Sequence, residues 1–205
     1  MFFEFMPKRF SLFAFLLLSV MVFNSCDDDE GEAPPEEEEV EVITTAILTF
    51  TDTAGNTVNA NASDPDGEGV ADLMVEGPIN LSTNTTYTLT FQLLNELESP
   101  AEDIAEEVEE EDDEHQFFFS FSDGAFASPS GDGNIDTASD AINYSDEDDN
   151  GNPVGLQTSW TTPATPLSDG NFTVRLQHQP DIKTSTTGAN DGDTDVDVTF
   201  VLNIQ

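Results

Sequence analysis

The stretch Thr86-Tyr87-Thr88-Leu89-Thr90-Phe91-Gln92-Leu93 decides the fold class. Tyr87, Leu89, Phe91 and Leu93 alternate with threonine and glutamine. A period of two puts the apolar side chains on one face of a strand and the polar ones on the other. Threonine is β-branched, so both halves of the pattern favour the extended state. Upstream, Val40, Val42, Ala46, Leu48 and Phe50 alternate with Glu41, Ile43, Thr45 and Thr49, which predicts a long strand with the first set facing the core. Downstream, three more sets keep the same period: Phe117, Phe119 and Phe121; Phe172, Val174 and Leu176; and Val196, Val198, Phe200, Leu202 and Ile204. Shorter strands are predicted at Thr57–Ala60, Leu73–Val75 and Leu156–Trp160. Clusters of Gly, Pro, Asn and Asp separate these runs, and no strand–helix–strand rhythm appears. The pattern predicts an all-β domain over residues 40–205, an antiparallel β-sandwich of immunoglobulin-like type.

One short acidic helix interrupts the strands. Ser99-Pro100-Ala101-Glu102 has the form of a capping box with proline at the first helical position. Ile104, Val108 and Glu111 follow at helical spacing. Ten acidic residues crowd Glu102 to Glu114. Those at the C-terminal end oppose the helix dipole, and a bound cation there would relieve the conflict.

The N-terminus reads as an export leader. Lys8 and Arg9 are followed by the apolar run Phe10 to Phe23, and Phe23-Asn24-Ser25-Cys26 stands where a lipoprotein cleavage box belongs. The apolar run is shorter than the roughly 20 residues a spanning helix needs. Residues 1–25 are therefore predicted to be a signal peptide. Cys26, the only cysteine, becomes the acylated N-terminus that anchors the protein to a lipid bilayer. Residues 26–39 hold Asp27-Asp28-Asp29-Glu30, Pro34-Pro35 and Glu36 to Glu39, and like-charge repulsion makes this a stretched tether.

Charge narrows the partners. The leader holds Glu4, Lys8 and Arg9, so the remaining chain carries 42 acidic residues against Arg175 and Lys183. Such a surface repels nucleic acid and attracts divalent cations. Asp64, Asp66, Glu68 and Asp72 fall at oxygen-ligand positions of a calcium loop that lacks its closing acid; Asp146, Asp148 and Asn150 repeat the pattern. Turn chemistry produces the same composition. The two histidines are more specific. His115 begins the Phe117 strand and His178 ends the Phe172 strand, each on the apolar face. Antiparallel pairing would bring them together at the rim of the core, with Glu111 and Glu114 beside them. Two imidazoles with carboxylates suit zinc, copper or iron better than calcium. No HExxH, GxSxG or phosphate-binding loop is present, and an enzyme is not expected.

Several stretches carry a family likeness: the acidic run after Cys26; Thr44 to Phe50; Asn84 to Glu96; Glu98 to Glu111; Glu114-His115-Gln116-Phe117-Phe118-Phe119; and Arg175-Leu176-Gln177-His178-Gln179-Pro180. Together they resemble small acidic envelope lipoproteins of flavobacteria and other Bacteroidota. Some of those are labelled as type 1 periplasmic binding folds, which the alternating-strand pattern contradicts. The resemblance implies a lipid-anchored, surface-exposed protein of the outer membrane, with a TonB-dependent receptor as partner. Two functions are then expected. One is capture of a divalent metal as an accessory to an outer-membrane transporter. The other is a calcium-stabilised structural or adhesive module that binds a protein or glycan.

Overall fold

The structure, a computed structural model, describes residues 41–64 and 73–205. The leader, Cys26, the tether and Val40 lie outside the described residues. So do Asp66, Glu68 and Asp72 of the first predicted calcium loop. Among the described residues, no helix is long and apolar enough to cross a membrane.

The elements follow in the order β1 (Thr45–Asp52), β2 (Thr57–Ser63), β3 (Met74–Val75), β4 (Ile79–Leu81), β5 (Thr86–Asn95) and β6 (Glu102–Asp103). After these come α1 (Ile104–Glu110), β7 (His115–Phe121), β8 (Gln157–Thr161), β9 (Leu167–His178) and β10 (Asp193–Ile204). One sheet runs β3-β2-β1-β5, and the far side of β5 is shared by β8 along Thr86–Thr90 and by β6 at Leu94 and Asn95. The other runs β4-β10-β9-β7. The inward sets of the two sheets meet as a sandwich. Phe50 of β1 lies edge-on to Phe172 of β9, with ring centroids 5.7 Å apart, and Phe91 of β5 stacks on Phe117 of β7 at 4.2 Å. Trp160 of β8 is fully buried and packs on Phe119 and Phe172. Such ring pairs add about 0.5–1.5 kcal/mol each beyond their buried area.

The all-β sandwich with one short acidic helix is therefore the architecture. Three local expectations need correction. First, the sheets are not wholly antiparallel. β4 pairs parallel with β10, with Leu202, Asn203 and Ile204 opposite Ile79, Asn80 and Leu81. The chain crosses the whole domain between those partners, so no hairpin constrains their direction.

Second, the helix starts later than the capping box implied. Ser99–Pro100 is a cis peptide, and Glu102 and Asp103 pair with β5 rather than opening a helix. Asp103 caps instead, its Oδ1 accepting from the Ala105 amide at 3.2 Å. Ladder hydrogen bonds take the backbone groups that the box would have used.

Third, the alternation breaks before Thr45. Residues 41–44 precede β1, and Glu41 and Ile43, expected outside, are both buried. Thr44 is the pivot. Its amide and hydroxyl both donate to the Leu94 carbonyl, and its hydroxyl accepts from the Glu96 amide, which ties this segment to the end of β5.

The outer edge of β7 is covered. Val154 O accepts from Phe117 N, Asn134 Oδ1 from Phe119 N and Asp132 O from Phe121 N. The segment between β7 and β8 thereby removes an edge that would invite another strand.

Candidate metal centre

Antiparallel register sets His115, the first residue of β7, directly opposite His178, the last of β9. The rings stack with centroids 4.5 Å apart and planes 4° from parallel. His115 is fully buried, whereas the His178 side chain keeps 12% exposure. Just upstream, α1 ends at its C-cap Glu111, and a tight turn closes by a Glu114 N–H donating to the Glu111 carbonyl. That carbonyl lies 3.1 Å from His115 Nδ1. The contact makes Nδ1 the protonated nitrogen and leaves Nε2 to face the site.

Two carboxylates meet Nε2. Glu41 Oε1 lies 2.7 Å away, brought in by the segment that Thr44 pins. Asp195 Oδ2 lies 4.0 Å away. Asp195 reaches inward because the β9–β10 register shifts between Thr194 and Val196, leaving it the unpaired residue of a bulge. Both acids are nearly sealed, with side chains 5% and 7% exposed. Glu114 Oε2 stands 3.3 Å from His178 Nε2.

The electrostatics follow from this crowding. Burial alone would push the His115 imidazolium down, but the Glu41 hydrogen bond and charge outweigh it and hold the ring above its ordinary value. Burial likewise pushes Glu41 up, and His115 overrides it, so Glu41 stays below the usual carboxylate range. Asp195 has no such rescue. Burial and the negative charge of Glu41 raise its carboxyl to about 9. With both acids ionised, Glu41 Oε2 and Asp195 Oδ2 would have no donor. A proton held by Asp195 supplies one, as an acid–carboxylate bond between the two. Burial and mutual charge thus favour the protonated form of His115 and Asp195 and the ionised form of Glu41.

Protons and a divalent cation answer the same need here. One ligand atom from each of Glu41, Glu111, His115 and His178 lies within 4.8 Å of the others. Mixed imidazole and carboxylate donors suit zinc, copper or iron. A metal sits in the plane of its imidazole about 2.0–2.1 Å from the nitrogen. Two parallel rings point alongside each other, so taking one ion through both requires one ring to swing. His178 is the freer of the two.

The expected histidine pair and Glu111 thus fall in one metal-sized group, while the expected Glu114 stands outside it, beside His178. Glu41 belongs to that group and Asp195 lies beside it, one just before β1 and the other at a bulge, and alternation places neither inward. The second predicted calcium loop goes elsewhere. Asp148 accepts from the Asn150 and Asn152 amides and pairs with Lys183 at 3.3 Å. Asp146 accepts from the Gly155 and Gln157 amides. Neither joins a metal-sized group of carboxylate and imidazole ligands among the described residues. Asp64 is buried at the end of β2, its amide donating to Thr44. An exposed trio, Asp132, Asp136 and Asp140, forms a second acidic grouping.

Comparison of the chain with protein-family models, with curated proteins and with solved structures finds no match.

Proposed function

We propose that this β-sandwich receives one divalent transition-metal ion, Zn²⁺, Cu²⁺ or Fe²⁺, on a lipid-anchored envelope protein that serves an outer-membrane transporter. The supporting observation is a stacked imidazole pair set against two nearly sealed carboxyl groups, each with one oxygen that has no hydrogen-bond partner. Burying such a group without an ion is costly, and a cation removes the cost directly. His115 is the fixed ligand, oriented by the Glu111 carbonyl. His178 is the arm that closes on the ion, and Glu41 supplies the nearest anionic oxygen.

Calorimetry of the chain from residue 27 onward, with Zn²⁺, Cu²⁺ and Fe²⁺ in turn, tests the reading. The expected result is one site per chain that millimolar Ca²⁺ does not displace. His178→Ala should weaken it by about a hundredfold, at the upper end of what loss of even an outer-shell partner costs, while leaving the circular dichroism unchanged. Unchanged affinity in that variant overturns the site. The exposed Asp132, Asp136 and Asp140 favour a second reading, the calcium-stabilised adhesive module. A melting temperature that rises with Ca²⁺ and ignores His178→Ala would select it.

A further inference from the structure

A cavity of about 410 Å³ opens between β5, α1 and the segment leading into β8, and it shares no lining residue with the histidine centre. Its apolar part is made by Phe91, Ala105, Val154 and Leu156, all packed on the main core. Phe91 is only half-buried, and its ring is held flat by Phe117 with 11° between the planes. An aromatic ring fixed at a partly open wall is a ready surface for a cation or a methylene chain.

The polar part has one sign. Glu106, Glu109 and Asp112 line the cavity from the helix side, and Asp146 and Glu147 from the other. No lysine, arginine or histidine lines it. Lys183 comes near but is already engaged, donating to the Asp112 carbonyl and pairing with Asp148. Asp146 is the least available of these acids, since its two oxygens already accept from the Gly155 and Gln157 amides.

We propose that this cavity binds an aliphatic amine, a primary ammonium carried on a short methylene chain. The apolar wall takes the methylenes and Phe91 offers its face, while the ammonium stays at the rim among the carboxylates. A bare metal ion fits less well. The acids lie around an apolar hollow, and none but the histidine centre and the exposed Asp132 trio forms a metal-sized group among the described residues. The volume falls in the range of small-molecule sites, about 300–1,000 Å³. The amine has two sources, a free di- or polyamine or a lysine side chain of a partner protein, and both present the same group.

Calorimetry at physiological salt, using the chain from residue 27 onward, tests this with cadaverine and with a capped lysine peptide. Diffuse attraction to so acidic a protein is the competing explanation, so the variants separate shape from charge. Ala105→Leu fills the hollow at constant charge and should weaken binding about tenfold. Glu106→Gln/Glu109→Gln should do at least as much. Asp136→Asn/Asp140→Asn removes the same charge elsewhere and should change nothing. Thr90 is exposed and lines the cavity, so Thr90→Arg places a cation at the wall and should abolish binding even if Ala105→Leu perturbs the helix. Tighter binding of cadaverine assigns a free amine, and tighter binding of the peptide assigns a partner's side chain. Full affinity in Ala105→Leu and Thr90→Arg, or equal losses in both acid pairs, overturns the proposal.

Discussion

His115 carries the most physical consequence of any side chain in the domain. It is completely buried, donates to a backbone carbonyl through one nitrogen and pairs with Glu41 through the other. Removing one partner from a buried pair leaves the other charged and unsolvated, at a cost of about 3–5 kcal/mol. Glu41→Gln should therefore lower the unfolding free energy of the metal-free protein, read from urea titration, by an amount of that order. Asp195 sets the pH dependence. Its folded value of about 9 lies far above the unfolded carboxylate value, so between the two the folded chain holds a proton that the unfolded chain lacks. Stability must fall as pH rises through that window. His115, also raised, acts in the same direction, because its contribution is full below its unfolded value and is lost above its folded one. Glu41, lowered, acts oppositely and loses its contribution at the acid end. The metal-free melting temperature should peak on the acid side of neutrality and decline toward alkaline pH. In Asp195→Asn the alkaline decline should flatten. Gly192 guards the same corner: its φ is +85°, and a Cβ there would stand 2.1 Å from the His178 carbonyl oxygen. Gly192→Ala should displace the end of β9 and weaken Zn²⁺ binding together with stability, which calorimetry on the refolded variant would record.

Among the elements, α1 is the one at odds with its own charges. No basic residue sits in its last turn, and Glu109, Glu110 and Glu111 crowd the negative end of its dipole. Glu110 is exposed, so Glu110→Lys should stabilise the protein by about 0.5 kcal/mol in urea titrations, an effect that shrinks with added salt. The strands show what the chain makes legible. β5, β9 and β10 each bury one face against the opposite sheet, so a period of two survives over many residues; β7 is covered on both faces, with Gln116 and Phe118 buried beside His115, Phe117 and Phe119. The pairing of the histidines follows from that periodicity and from antiparallel register. β4 was hidden because three residues, Ile79, Asn80 and Leu81, are too few to show a period. Strict alternation through residues 41–44 puts Glu41 outside, but hydrogen bonding through Thr44 resets the phase there and turns it inward. Asp195 shows the converse, a bulge turning inward a residue that strict alternation sends outward. Pattern reading fails wherever the ladder slips by one residue, and here both slips lie at the candidate centre.

At the scale of the molecule the formal charge of −39 dominates. Its repulsion acts over a Debye length of about 10 Å at 0.1 M salt. The melting temperature should therefore climb as sodium chloride is raised from low millimolar to several hundred millimolar, as differential scanning fluorimetry would show. Lys183 works against this field as one of four cations in the sequence, its side chain shielded between Asp148 and the Asp112 carbonyl.

The pairing of β4 with β10 has a further consequence. Ile79 and Leu81 find no neighbouring strand until residues 202–204 exist, so the second sheet cannot finish early. Closing so long a loop is slow, and a nascent thread lacking β10 stays pliable. A secreted polypeptide, as proposed for this one, gains from such a delayed clasp. It can pass a narrow conducting pore unfurled, its carboxylates keeping neighbouring threads apart, and snap shut only on the side where β10 emerges.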